Sequence, residues 1–154
     1  MPRVSEIWIY EQRECNTLIV RTRVSVNNIM NVTSKIYSDI FTYLAELNEI
    51  PCGVPFITYH NTDMNDMDIA AGVPVSKEFS QRGDVVPGKL PNAKVVACIH
   101  RGPYHSTPPT YEEMHKWVAS KGLTPVGIVR EVYLNDPSNT SEDELLTEIL
   151  MPIK

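Results

Sequence analysis

The chain spells the same order of elements twice. A shift of 74 positions lays Gly53 on Gly127, Tyr59 on Tyr133 and Asn61 on Asn135, and a shift of 78 lays Pro74 on Pro152 and Val75 on Ile153. The four-residue difference fits a longer hairpin loop in the second copy. Repetition of this kind points to one supersecondary unit used twice, which removes most folds open to a chain of 154 residues.

Hydrophobic periodicity says what the unit is. Residues 5–13 alternate apolar and polar and predict a strand, and residues 17–26 predict a second. Val32, Ile36, Ile40, Tyr43, Leu44 and Leu47 fall on one helical stripe over about 31–48. Strands are expected at 54–60 and 67–75. The stretch 78–93 holds Gly83, Pro87, Gly88 and Pro91 and is expected to be a surface linker between halves at about 1–77 and 94–154. The order then recurs. A strand at 94–101 precedes a helix at 107–121 with Tyr111, Met114, His115 and Val118 on one stripe, and strands follow at 125–134 and 145–153. Thr110 and Glu113 have capping-box spacing, and Pro108 after a Thr107 cap fits equally well. Gly122 is a natural helix stop. The sum is an α+β fold of two pseudo-symmetric β-α-β-β repeats, a mostly antiparallel sheet with helices on one face and a central ligand cleft where the halves meet.

Composition excludes several classes of function. The formal net charge is −5, and the 14 Lys and Arg are scattered, so a basic face for nucleic acid is not expected. Cys15, Cys52 and Cys98 are too far apart for a disulfide framework or a zinc pattern, and read as small buried or strand residues in a reducing cytoplasm. No apolar run reaches membrane-spanning length, and the first residues lack a signal peptide's apolar core. His60, His100, His105 and His115 lack the spacing of a helical zinc site, and no glycine string suits a phosphate loop. Neither metal nor cofactor is expected.

One residue stands out within this frame. Glu131 lies in a strand-like segment, on the face it shares with Val129 and Tyr133. Its position is either an ordinary exposed edge or a sheltered one. A sheltered carboxylate needs compensation, from the protein or from a cationic ligand. Under the 74 shift its counterpart is Ile57, so the charge occurs in one copy only. Tyr133 shares its strand face, and Tyr104 follows a Gly-Pro turn that could bring a ring over a cleft. Tyr59 is the repeat partner of Tyr133. Tyr37 and Phe41, beside the first helix's stripe, are either packing residues or cleft wall, and so is Trp117 at the edge of the second helix. Glu148 is a secondary candidate for a cleft carboxylate.

The strings His100-Arg-Gly-Pro-Tyr104, Tyr111 and Trp117 along the helix, Gly127-Ile-Val-Arg-Glu-Val-Tyr-Leu-Asn-Asp-Pro137 and Glu144-Leu-Leu-Thr-Glu-Ile-Leu-Met-Pro-Ile153 resemble the GyrI-like domain. This effector-binding module is also found behind DNA-binding heads in AraC-type and MerR-type multidrug-sensing regulators. The first half matches more loosely, through the strand ending near Val24 and Ala71-Gly-Val-Pro-Val75. The resemblance implies two β-α-β-β repeats around a cleft that binds small hydrophobic or cationic aromatic molecules. It places the family's binding carboxylate on Glu131 and aromatic walls on Tyr133, Tyr104 and Trp117. The chain has no segment for a helix-turn-helix head, so a standalone bacterial ligand binder is the expectation. A separate regulator or DNA gyrase is the conceivable protein partner. Some standalone relatives are thought to hydrolyse cyclopropane-bearing compounds and others to protect gyrase. In an enzyme of that kind Glu131 would activate a water or protonate a leaving group, while Tyr133 or Tyr104 orients the substrate.

Overall fold

The computed structural model describes residues 3–154. Its elements run β1 (Trp8–Gln12), β2 (Cys15–Val24), α1 (Ile29–Glu46), β3 (Phe56–Tyr59), β4 (Met67–Pro74), β5 (Val86–Leu90), β6 (Ala93–Arg101), α2 (Pro108–Ser120), β7 (Val129–Tyr133) and β8 (Leu146–Pro152). The β-α-β-β order holds in both copies, as β2-α1-β3-β4 and β6-α2-β7-β8, and every strand pairing within them is antiparallel. The fold class is α+β.

The chain forms two compact units. One is Arg13–Pro91; the other is Asn92–Lys154 with the segment ending at Gln12. In the first unit, β2 pairs with β4 and β4 with β3, and α1 packs on β2 and β4. Ile36, Ile40, Tyr43 and Leu44 of the anticipated stripe are buried, but Leu47 is exposed because the helix has already ended. In the second unit, Met114 and Val118 of α2 pack with Val96 and Cys98 of β6 and Ile149 and Met151 of β8. Burying a side chain of this size stabilises by about 1.5–3 kcal/mol. The buried stripe of α2 is Thr110, Met114 and Val118; His115 points to solvent.

Both helices stop in the same way. Asn48 (φ 57°) and Gly122 (φ 70°) stand 74 residues apart, each in the left-handed conformation just past its helix. The next amide donates back five residues, Glu49 to Leu44 and Leu123 to Val118, at 2.9 and 3.0 Å. The start of α2 agrees with expectation in its first-turn proline and differs in its cap. α2 begins at Pro108, but no side chain caps it. Thr107 Oγ1 donates to the Tyr104 carbonyl, Thr110 bonds to His100, and Glu113 pairs with Arg3, so the capping-box residues serve other contacts.

The segment expected to be a linker contains a strand. β5 pairs with β2, Thr17 facing Gly88, and β1 pairs with β6, Tyr10 facing Val95. Adding 78 to β1 (8–12) gives β5 (86–90), and adding 78 to Thr17 gives Val95. The repeat is therefore β-β-α-β-β. The first strand of each copy sits in the unit formed by the rest of the other copy. Pro87 and Gly88 hide this strand from a sequence reading. Pro is tolerated where a strand lies at an edge, and a Cβ on Gly88 would meet Thr17 Oγ1 at 2.9 Å. Cys15 and Cys98 are strand residues, but Cys52 is exposed in the turn between α1 and β3, against expectation.

Candidate functional site

Strand β7 holds Glu131 opposite Ile149 of β8, on the sheet face covered by α2. Alternation puts Val129 and Tyr133 on that face and Arg130 and Val132 on the other. The Glu131 residue is only 8% exposed. Two phenols donate to its carboxylate. Tyr133 Oη reaches Oε1 at 3.0 Å from the same strand face, and Tyr111 Oη of α2 donates to Oε2. Phenols bring hydrogen bonds, not positive charge, to the carboxylate.

Tyr104 completes the cluster. Its ring meets that of Tyr133 edge to face, with centroids 5.3 Å apart and planes at 66°. That is a favourable quadrupole arrangement. Burial first, then the negative charges of Glu131 and Asp136, pushes the Tyr104 phenol above its ordinary value. It is therefore a neutral donor at physiological pH. Tyr104 stands on a short 3-10 turn, Tyr104–Ser106, between β6 and α2.

The other anticipated residues lie elsewhere. Successive 100° steps along α2 put Tyr111 and Trp117 on opposite flanks of the buried stripe. Tyr111 flanks β7; Trp117 lines an open groove of about 390 Å³ with Arg3, Ile7, Glu113, Lys116 and Ser120. Trp117 is thus not part of the Glu131 cluster. Glu148 faces Val132, which puts it on the opposite side of the sheet from Glu131. Burial raises its pKa, and Arg130 opposes that rise. It is not a second carboxylate for the same cluster. Tyr37, Phe41 and Tyr59 belong to the Arg13–Pro91 unit. Tyr59 and Tyr37 are half-buried there, and Phe41 is 40% exposed. Among the described residues, no group of three or more His, Cys, Asp or Glu could hold a metal ion.

Tyr111 was not singled out from sequence as a ligand-site residue, because a place on the helical stripe reads as packing. A signal was present: Tyr37 and Tyr111 are separated by the same 74 positions as Ile57 and Glu131. Tyr37 Oη donates to the Phe56 carbonyl at 2.8 Å. The two copies thus place a phenol at the same point, over a backbone acceptor in one and a buried carboxylate in the other.

A repeated α+β fold of this order carries a buried carboxylate hydrogen-bonded by tyrosines. The chain belongs to the GyrI-like small molecule binding domain family, whose profile matches residues 6–154. No curated protein matches it in sequence. Among solved structures it is similar to the EcmrR chain in an EcmrR–DNA complex, with a TM-score of 0.82 and 22% identity. That match covers 97% of this chain, which spans only 57% of the EcmrR chain. A hydrolase from Listeria innocua matches with a TM-score of 0.74 and 15% identity over 97% of this chain and 92% of its own. SAV2435 bound to tetraphenylphosphonium matches with a TM-score of 0.67 and 14% identity, covering 97% and 94%. At these identities the likeness is one of fold. Among the described residues, no helix is long and apolar enough to cross a membrane.

Proposed function

We propose that the chain binds a hydrophobic or cationic aromatic molecule at Glu131, with Tyr111, Tyr133 and Tyr104 as polar and aromatic wall, and acts as a sensor or sequestering protein. The observation that supports this most is the buried carboxylate of Glu131, held by two phenols. A carboxylate at low effective dielectric attracts a cation more strongly than it would in water. Ring faces add about 0.5–2 kcal/mol of cation–π attraction per contact. The tetraphenylphosphonium bound to SAV2435, a protein of the same fold, is a ligand of this kind. Tyr59 and Tyr37 stand at the repeat-equivalent positions of Tyr133 and Tyr111 within the Arg13–Pro91 unit.

Calorimetric titration with tetraphenylphosphonium tests the reading. Wild-type protein is expected to bind, and Glu131→Gln to bind at least 30-fold more weakly. That corresponds to about 2 kcal/mol, the low end for breaking a buried charge pair. Unchanged affinity in Glu131→Gln would remove the carboxylate from the account. A second reading is a hydrolase using the same residues, favoured by a carboxylate with two phenols in bonding contact, which can shuttle a proton. Product formation from a cyclopropane-bearing electrophile, lost in Glu131→Gln, would decide for it.

A further inference from the structure

His100 on β6 is wholly buried, and both its ring nitrogens are engaged. Nδ1 lies 2.8 Å from Thr110 Oγ1 of α2, and Nε2 lies 3.0 Å from Ser106 Oγ of the 3-10 turn. Ser106 donates its one hydroxyl proton to the Pro103 carbonyl at 2.6 Å, since a carbonyl can only accept. Nε2 must therefore donate to Ser106, and Thr110 must donate to Nδ1. The pair is not a serine nucleophile with its histidine base, because the serine proton points away from the ring. It is a brace. Gly102 makes room for it: a Cβ there would stand 3.1 Å from Ser106 Oγ and 3.7 Å from Nε2, and its φ of +128° suits only glycine.

Each arm of the brace ends next to a residue of the Glu131 cluster. Ser106 closes the turn that holds Tyr104, and Thr110 adjoins Tyr111 on the same helix. We infer that His100 is a positioning residue for the ligand site. Its Nε2–H fixes Tyr104 over Tyr133 through Ser106, while the bond from Thr110 to Nδ1 holds the ring itself in place. This rests on the reading that Glu131 and its tyrosines bind ligand.

Substitution separates the two arms. A glutamine amide reaches the place of Nε2, and an asparagine amide only that of Nδ1. His100→Gln should keep the bond to Ser106, while His100→Asn should release it. Ser106→Ala releases it without touching the core. The measurements are affinity for tetraphenylphosphonium and the fluorine resonance of Tyr104 in 3-fluorotyrosine-labelled protein, assigned with Tyr104→Phe. His100→Gln is expected to bind within about threefold of wild type. His100→Asn and Ser106→Ala are expected to bind roughly tenfold more weakly, about the worth of one aromatic wall. The Tyr104 resonance should move toward its solvent-exposed position in those two variants only. Equal loss in the Gln and Asn variants with an unmoved resonance would overturn the inference, as would Ser106→Ala behaving as wild type. If wild-type protein binds no tetraphenylphosphonium, the functional reading fails, and the resonance still decides the positioning.

Discussion

Removing the Tyr111 hydroxyl probes the carboxylate and its surroundings with one atom. Tyr111→Phe keeps the ring against the core of α2 and deletes a donor to a carboxylate that is 8% exposed. A hydrogen bond to a charged group is worth about 1.5–3 kcal/mol. Tyr111 is only half-buried and Tyr133 still donates at 3.0 Å, so the low end, about 1.5 kcal/mol, is expected. For a chain of this size that is a fall in Tm of about 3–6 °C. The fold supplies its own control. Tyr37→Phe deletes the equivalent hydroxyl over the Phe56 carbonyl, a neutral acceptor, and should cost less, about 1 kcal/mol. Urea unfolding of both variants, of Glu131→Gln, and of the Tyr111→Phe/Glu131→Gln double variant gives the coupling directly. A coupling of about 1 kcal/mol or more between Tyr111 and Glu131 is expected. Additive effects, or a Tyr111→Phe cost no larger than that of Tyr37→Phe, would refute the idea that the phenol secures a buried charge.

Thiol labelling should follow position in the fold. Cys52 is exposed and should react first, while Cys98, buried and pushed up to about 11, should stay unlabelled by iodoacetamide until the protein unfolds. Labelling of native Cys98 at the rate of Cys52 would contradict its placement in the core. Burial holds the His100 pKa below its ordinary 6.5, so the unfolded chain takes up this proton first as pH falls. Its contribution to stability is full above 6.5 and is lost as pH falls below it. His60 is shifted down as well, by burial first and then by Arg21, and Glu148 is shifted up and acts oppositely. The difference in stability between wild type and His100→Gln isolates the one group, and should shrink as pH falls from 7 to 5; a pH-independent difference would show that His100 does not titrate on unfolding.

Glu131 was visible in the sequence because a charge on a strand of β-branched and aromatic residues is locally inconsistent. Its shared face with Tyr133 followed from alternation alone. The rest of the cluster depended on register, which local pattern does not contain. Glu148 could not be separated from Glu131 by pattern, because only its pairing with Val132 tells which face of β8 it shares. Trp117 and Tyr111 both border the helical stripe, and the order of the strands beneath decides which flank faces β7. The strand β5 was hidden by Pro87 and Gly88, whose usual meaning is a turn. Their actual reasons, an edge position and the closeness of Thr17, are tertiary. His100 could be recognised as a brace only from its two partners, both of which come later in the chain.

The exchange of β1 and β5 bears on how such a chain could have arisen. A lone 78-residue copy would have an opening beside its second strand that its own first strand does not fill. Two identical copies could each plug the other's gap, so the ancestral form would be a strand-swapped homodimer with two equivalent halves. Joining them in one polypeptide frees the halves to diverge. A symmetric pair must carry an acid at both positions 57 and 131 or at neither; a fused one can keep isoleucine in one and glutamate in the other.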